Sequence, residues 1–183
     1  MTQLGRGRAA VAAAGVMAIL SLAGSGPASA QAACAGASAV PDHAALAKAR
    51  AATVCLLNEQ RRAHGLAPLK VHRRLTRAAT RYSRLMVRRG FFDHVGPGGS
   101  TMYERVEAAG YRRWRTLGEN LAWGAGPLAS PARIVADWMR SPGHRRTILD
   151  RRLREVGVGI ATGAPEPVGR TPAATYTTNF GAR

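Results

Sequence analysis

The chain has 183 residues, and 27 lysines and arginines against 10 aspartates and glutamates give it a formal net charge of +17. This length suits a single domain around one core and excludes a multidomain architecture. The charge predicts a surface that attracts polyanions. A neutral explanation stays open, because only two of the 27 basic residues are lysine and such alanine- and arginine-rich usage is also typical of a G+C-rich coding sequence.

The first thirty residues have the pattern of a secretory signal peptide. Arg6 and Arg8 form a positive start, residues 9–23 are apolar, and residues 28–30 (Ala-Ser-Ala) form a small-residue cleavage site. The apolar run is too short to span a bilayer comfortably, and no other segment of the sequence could do so. We therefore predict that residues 1–30 are removed and that a soluble, extracellular protein is released. A retained signal anchor is the alternative.

Two cysteines, Cys34 and Cys55, lie after the predicted cleavage site. An even number of cysteines in an oxidising compartment predicts a disulfide between them, and closing a loop of this length would add about 3 kcal/mol of stability. We expect the bridge to hold a poorly ordered leader, residues 31–43, against the first helix. Two free thiols, or a lipid attached to Cys34, are the alternatives, and the second lacks the usual aliphatic residue before the cysteine.

Two helices are predicted in the first half of the chain. The pattern from Ala44 to about His64 is helical, and Gly65 ends it. The segment VHRRLTRAATRYSRLMVRRG, residues 71–90, has apolar residues at three- and four-residue steps and arginines in the other directions. We predict a helix that packs on the core and has a basic outer face. Because no aromatic or amide side chains interleave with these arginines, we expect no nucleic-acid partner.

A loop and a short helix come next. Residues 91–99, FFDHVGPGG, form the loop, since glycines and a proline follow one another closely. Thr101 and Glu104 match a capping box that begins a short helix, which Gly110 ends. LGENLAW, residues 117–123, has the features of an irregular strand or turn.

The last part of the chain changes from helices to strands. Ser130 and Ser141 are each followed by a proline, and each pair predicts a helix with the serine as N-cap and the proline in the first turn. Residues 156–161 alternate Val or Ile with Gly or Ala, which predicts a strand with one bare face against which a helix can lie closely. Residues 175–180 predict a second strand, antiparallel to the first.

Two histidines and a carboxylate are notable for their settings. His94 lies in the Gly- and Pro-rich loop, Glu119 lies between Gly118 and Asn120, and His144 lies at a helix start. Imidazole and carboxylate groups together suit a divalent cation such as zinc, at ligand distances of about 2.0–2.2 Å. The three residues are 25 positions apart at each step and form no compact metal motif. Ordinary loop and cap hydrogen bonds of the histidines therefore stay open as an explanation.

Five segments follow one another over roughly residues 50–181. They are LLNEQRRAHGLAPL, GFFDHVGPGGSTMYERVEAAGY, LGENLAWG, VADWMRSPGHRRTILDRRLREVGVGIA and YTTNFG. Together they resemble the bacterial, secreted SCP-like branch of the CAP superfamily, which includes cysteine-rich secretory proteins, insect antigen 5 and plant pathogenesis-related proteins. The resemblance implies an α+β fold, a three-layer α-β-α sandwich with a central antiparallel sheet, and assigns residues 44–183 to the CAP (SCP-like) domain.

The resemblance also implies a site. In the superfamily a central cleft carries two histidines and two acidic residues, which in some members hold a divalent cation. His94 and His144 match the histidines, and Glu119 matches one acidic residue. The second acidic residue has no match, because the short segment before His144 carries no carboxylate; Asp137, expected to be solvated, and Glu155, on a strand, are the substitutes. This gap predicts weak metal binding.

The sequence leaves three functions open. We favour a non-enzymatic extracellular binding module, a monomer whose cleft holds a small ligand, a lipid or a cell-wall polymer fragment, with Arg145 or Arg146 at the rim. A hydrolase that uses a metal-bound or Glu119-activated water on an amide or ester at the cell surface is the alternative. A nucleophilic Ser141 or Ser100 is the third, although neither serine lies in a nucleophile-elbow motif.

Overall fold

The computed structural model describes residues 34–183, so the predicted signal peptide, residues 1–30, lies outside the described residues. Five α-helices and four β-strands form in the described part. The helices are α1 (Leu46–Ala63), α2 (Arg73–Arg89), α3 (Met102–Ala108), α4 (Pro131–Arg140) and α5 (Pro142–Ile148). The strands are β1 (Lys70–Val71), β2 (Thr116–Ala125), β3 (Glu155–Thr162) and β4 (Ala173–Ala182). Within this part, no helix has the length and apolar character needed to cross a membrane.

The four strands form one sheet in the order β1-β3-β4-β2. β3 and β4 pair antiparallel, as predicted. β2 pairs antiparallel with β4 along its whole length, which places Glu119 opposite Asn179. The two-residue β1 lies parallel to β3. The segment LGENLAW is therefore part of a regular edge strand, because the ladder with β4 supplies the order that its sequence pattern lacks.

The bare glycine face of β3 lies against α2. A Cβ atom added at Gly157 would lie 2.0 Å from the backbone nitrogen of Thr76, and one added at Gly159 would lie 2.1 Å from the carbonyl carbon of Ala79. Helix and strand thus meet backbone to backbone, a separation that only glycine allows. The prediction that a helix lies close against this face is confirmed.

The opposite face of the sheet carries the main core. Val156, Val158 and Ile160 alternate with the glycines along β3 and pack with residues of α1, α4 and α5. Trp138 of α4 is buried there, and its indole Nε1 donates a hydrogen bond to the main-chain oxygen of Leu121 in β2 at 2.9 Å. Because helices cover both faces of the sheet, the predicted three-layer α-β-α sandwich is confirmed.

The predicted Cys34–Cys55 disulfide is present and joins the start of the described chain to α1. The leader after Cys34 is packed rather than loose. Cys34 and Ala37 are buried in the main core, and the Ala37 main-chain oxygen accepts a hydrogen bond from the Ala132 nitrogen at 2.9 Å. The expectation of a poorly ordered leader is therefore wrong for this stretch, because its small apolar residues fit between α1 and α4.

The helix starts agree with the sequence only in part. Both hydrogen bonds of the Thr101–Glu104 capping box are present at α3. α4 and α5 begin at their prolines with Ser130 and Ser141 at the N-cap positions, as predicted, but neither serine side chain caps its helix within the described residues. The Ser130 hydroxyl donates instead to the Pro127 main-chain oxygen at 2.9 Å in the preceding turn, and within residues 34–183 the Ser141 side chain forms no cap hydrogen bond.

Candidate binding cleft

The structure brings two of the three candidate residues into direct contact. His94 follows α2, Glu119 lies in β2, and Nδ1 of His94 is 2.9 Å from Oε1 of Glu119. His144 lies in the first turn of α5, where its main-chain oxygen accepts a hydrogen bond from Nδ2 of Asn120 at 3.2 Å. The loop and α5 are therefore attached to neighbouring residues of one edge strand, which brings the three candidates into one region, here called the cleft.

Glu119 is the buried centre of this cleft. Its side chain is only 3% exposed, and Nη2 of Arg105 lies 3.0 Å from each carboxylate oxygen. With its amide oriented so that the nitrogen faces Glu119, Asn179 on β4 donates a further hydrogen bond to Oε2 at 3.1 Å. Three donors from three separate segments thus hold the carboxylate in place.

Arg105 reaches Glu119 from α3 and is itself held in place. Its guanidinium lies 3.4 Å from the centroid of the Tyr82 ring, a cation–π contact. It also donates to the main-chain oxygens of Ser100 at 2.6 Å and His94 at 3.0 Å. The Tyr82 hydroxyl donates to the Asp93 main-chain oxygen at 2.6 Å, and burial raises the pKa of Tyr82 to about 12. The loop that carries His94 is therefore fixed by Arg105 and Tyr82.

The pKa values of the two histidines shift in opposite directions. The hydrogen bond to Glu119 raises the pKa of His94, whose side chain is 56% exposed. Burial lowers the pKa of His144, and the charge of His94 lowers it further. At pH values close to 6.5 these shifts favour a protonated donor at His94 and a neutral imidazole at His144, which together suit a polar ligand that both accepts and donates hydrogen bonds.

Comparison with known proteins identifies the family. The sequence model of the CAP family, described as the cysteine-rich secretory protein family, matches residues 54–178. The chain belongs to the CAP family. The resemblance found in the sequence is thereby confirmed, and the matched region contains all three candidate cleft residues.

Two Bacillus subtilis proteins are similar in sequence. The uncharacterized protein YkwD is 34% identical over 104 residues, and the uncharacterized membrane protein YlbC is 32% identical over 107 residues. Each alignment covers 57% of this chain, but only 39% of YkwD and 29% of YlbC. The chain therefore spans well under half the length of these curated relatives.

Two solved structures have a similar fold. An extracellular protein containing an SCP domain from Bacillus anthracis matches with a TM-score of 0.59 and 25% identity, over 72% of this chain and 39% of that one. An outer surface protein from Borrelia burgdorferi matches with a TM-score of 0.59 and 20% identity, over 71% of this chain and 89% of that one. At 20% identity the second match supports the fold alone.

The cleft of this CAP domain does not fit a divalent cation with its side chains placed as they are. In residues 34–183, ligand atoms within 4.8 Å of one another occur in one group of three, Cys34, Cys55 and Glu59, whose two sulfurs are bonded to each other. His94, Glu119 and His144 form no such group. The Glu119 carboxylate also faces a guanidinium, which would repel a second cation bound at the same oxygens.

The two substitutes for the missing acidic residue lie elsewhere. Asp137 forms ion pairs with Arg133 at 2.9 Å and with Arg140 on the exposed side of α4, as expected for a solvated residue. Glu155 accepts a hydrogen bond from the Tyr111 hydroxyl at 2.5 Å and is paired with the C-terminal arginine. In the described part of the chain, neither carboxylate contacts the three cleft residues.

The sequence also predicted two serines and two arginines near the cleft, and their surroundings differ. Across residues 34–183, no hydrogen bond joins the hydroxyl of Ser100 or Ser141 to a histidine, so neither serine is arranged as an activated nucleophile. Nη2 of Arg145 lies 3.1 Å from Nε2 of His64 at the end of α1. Arg146 is exposed to solvent next to it. Arg145 thus links α5 to α1.

Sequence reasoning missed three side chains that shape the cleft. They are Tyr82, Arg105 and Asn179. Arg105 and Asn179 hold Glu119, and Tyr82 helps to hold the loop that carries His94. Arg105 resembles the many other arginines of the chain, and Tyr82 appears only as a core position of its helix. The signal that could have found Asn179 is the register of β2 and β4, which a single sequence does not reveal.

Proposed function

We propose that this CAP domain is an extracellular binding module whose cleft at His94, Glu119 and His144 holds a polar group of a cell-wall fragment, a lipid or another small ligand without converting it. Glu119 carries the proposal, because every partner on its carboxylate is a donor that occupies its oxygens and holds it in place. A general base must instead be free to take a proton from an attacking water. A carboxylate so fully bonded acts as a support for other groups.

The opposite pKa shifts of the two histidines support the same function. Protonated His94 can donate a hydrogen bond to an anionic or carbonyl oxygen of a ligand. Neutral His144 can accept one from a hydroxyl or amide group. Hydroxyl, amide and carboxyl groups occur together in cell-wall glycopeptides, which makes them suitable first probes of the cleft.

The extracellular location is part of the proposal. The disulfide between Cys34 and Cys55 is typical of proteins that fold in an oxidising compartment. The similar SCP-domain protein from Bacillus anthracis is described as extracellular. A divalent cation could enter the cleft only if Arg105 moved away from Glu119, so we expect ligand binding to need no metal.

Binding is tested with soluble peptidoglycan fragments and imidazole NMR. We expect the fragments to shift the ring signals of His94 and His144, and a His94→Ala, His144→Ala double variant to lose most of the affinity. A His43→Ala variant is the control, since His43 contacts Thr162 away from the cleft. A loss of affinity as large in this control as in the double variant would contradict a role for this cleft.

Catalysis is tested separately with peptide, ester and peptidoglycan substrates, with and without zinc. We expect no turnover above the background rate. Turnover that rises with zinc and disappears in both Glu119→Gln and His144→Ala, with the fold intact by circular dichroism, would replace the binding module by a metal-assisted hydrolase.

A further inference from the structure

A second cavity of about 480 Å³ lies away from the cleft and is almost wholly arginine-lined. Its lining residues are Arg74, Arg77, Gly110, Arg112, Arg113 and Arg183. We call it the arginine cavity. None of these residues belongs to the group around Glu119, and no carboxylate is among them. Its volume falls within the range of about 300–1,000 Å³ that is usual for small-molecule sites.

Two arginines on one wall are held in fixed positions. Arg74 and Arg77 lie one turn apart on α2 and both reach the carbonyl groups that follow α3. Nη1 of Arg74 donates to the Gly110 oxygen at 2.8 Å, and Nη2 of Arg77 donates to the Ala109 oxygen. Each bond uses only one nitrogen of a guanidinium that offers five N–H donors. The remaining donors are thus arranged without the ordering cost that a mobile arginine would impose on binding.

The opposite wall comes from the segment after α3. Arg112 and Arg113 are exposed, and in residues 34–183 their side chains form no hydrogen bond or ion pair. Arg113 has a φ of 58°, the left-handed region that residues with a side chain rarely adopt. This strained conformation sits where the arginine joins the lining, and strained backbone of this kind is concentrated at binding sites.

The charge of the arginine cavity is largely uncompensated. Arg183 has a partner, since its Nη2 lies 3.1 Å from Oε1 of Glu155 and its guanidinium lies over the Tyr111 ring at 5.3 Å. The two walls add Arg74 and Arg77 on one side and two further arginines on the other, all without a carboxylate partner in the described chain. Four like charges around one cavity repel one another, and a multivalent anion would relieve that repulsion.

We propose that the arginine cavity binds a multivalent phosphate, such as a diphosphate group or a short phosphodiester segment. Guanidinium forks pair with phosphate oxygens in a bidentate manner, and tetrahedral phosphate offers oxygens to donors on several sides. A single carboxylate would satisfy only one wall. This inference does not depend on the function of the cleft at Glu119, because the two sites share no residue.

The test is calorimetry with sodium pyrophosphate at low ionic strength. An Arg112→Ala, Arg113→Gly double variant removes one wall, and glycine keeps the positive φ at position 113 without strain. Its matched control is Arg84→Ala, Arg88→Ala, which removes the same charge from the exposed side of α2 outside the cavity. We expect binding to weaken at least about tenfold in the first variant and by less than about threefold in the control, because charge-assisted bonds are lost only in the first.

Two results would overturn the proposal. One is the absence of measurable pyrophosphate binding by the wild-type protein. The other is an equal loss in both double variants, which would mean attraction to the general basic surface rather than to this cavity. Single-stranded DNA that binds tightly through Arg112 and Arg113 while pyrophosphate does not bind would also overturn it, in favour of a nucleic-acid site.

The source of the phosphate is distinguished with phosphatidylglycerol vesicles. Vesicle binding that pyrophosphate displaces, and that the Arg112→Ala, Arg113→Gly variant loses, would support the proposal with a lipid head group as ligand. Pyrophosphate binding without vesicle binding would support it with a soluble or wall-borne phosphate as ligand. Both outcomes leave the proposed role of the cleft unchanged, so the two proposals can fail separately.

Discussion

Two arginines with largely buried side chains, one in the last turn of α1 and one at the cleft, show how the same side chain serves different ends. Arg61 is 0% exposed, and its partners are all main-chain oxygens. They belong to Ala67 at 2.8 Å, Ile148 at 2.7 Å, Asp150 at 3.1 Å and Leu153 at 3.1 Å. Arg105 is 12% exposed, faces the carboxylate of Glu119, and within residues 34–183 has no partner for its Nε.

The difference lies in what each guanidinium organises. Arg61 joins α1 to the segment that runs from the end of α5 to β3. Without it, main-chain carbonyl groups of that segment would be unpaired in the core. Arg105 sets the charge and position of cleft side chains and leaves part of its own capacity unused. Arg61 thus joins segments of the core, whereas Arg105 joins α3 to the carboxylate of Glu119.

The largest effect is expected at Arg61. Arg61→Met should lower the free energy of unfolding by about 4 kcal/mol or more, because several buried carbonyl groups each lose a partner at a cost of about 1–3 kcal/mol. Urea denaturation measures the change. Arg62→Met is the control, since the neighbouring Arg62 is exposed and pairs with Glu59 on the surface. Similar losses in the two variants would remove the distinction made for Arg61.

A smaller loss of stability is expected at the cleft. Arg105→Met should lower the free energy of unfolding by up to about 3 kcal/mol. This is the lower end of the range for removing one partner of a buried ion pair, because His94 and Asn179 still hold Glu119. The same variant should raise the pKa of His94, since the Arg105 charge now lowers it. Denaturation and NMR titration measure the two effects. An unchanged His94 pKa would contradict the electrostatic role given to Arg105.

An exposed ion pair should matter least for stability. Asp137→Asn is expected to change the free energy of unfolding by less than about 1 kcal/mol, because Asp137 and its arginine partners on α4 are solvated. Thermal denaturation at low and high salt measures it. A loss of stability as large as that of Arg105→Met would mean that solvent exposure does not distinguish the Asp137 ion pairs from the Arg105–Glu119 ion pair.

The pH dependence of the cleft sharpens the comparison further. Because the folded pKa of His94 is raised above its ordinary value of 6.5, protonated His94 stabilises the fold fully below that pH, and this contribution disappears as the pH rises through the folded pKa. His144 behaves oppositely. Its lowered pKa reduces the free energy of unfolding at low pH. This loss is absent above pH 6.5 and grows as the pH falls towards the pKa of His144 in the folded state.

Imidazole NMR titrations check these directions. We expect His94 to titrate above 6.5 and His144 below it, and Glu119→Gln to bring the pKa of His94 back down, since the hydrogen bond to the carboxylate is the main cause of its shift. Two cleft histidines that titrate together would contradict the arrangement around Glu119.

Local patterns in the sequence determined most of the secondary structure and part of the site. The three- and four-residue steps of α2, the glycine alternation of β3 and the Thr101–Glu104 box each depend on neighbours in the chain, and all three predictions are confirmed. The resemblance to CAP proteins, carried by motifs in a fixed order, identified the family and pointed to His94, Glu119 and His144 as its cleft residues.

Only the tertiary structure decided which polar side chains meet. Arg61, Arg105 and Arg113 look alike in a sequence rich in arginine, yet one is buried under carbonyl groups, one faces Glu119 and one lines an open cavity. The partner of a long, flexible side chain depends on distant segments, such as the register of β2 with β4 and the place of α3 beside α2. Ionic contacts of this kind have no period along the chain, and for that reason the sequence alone determined the fold but left the electrostatics of both sites undetermined.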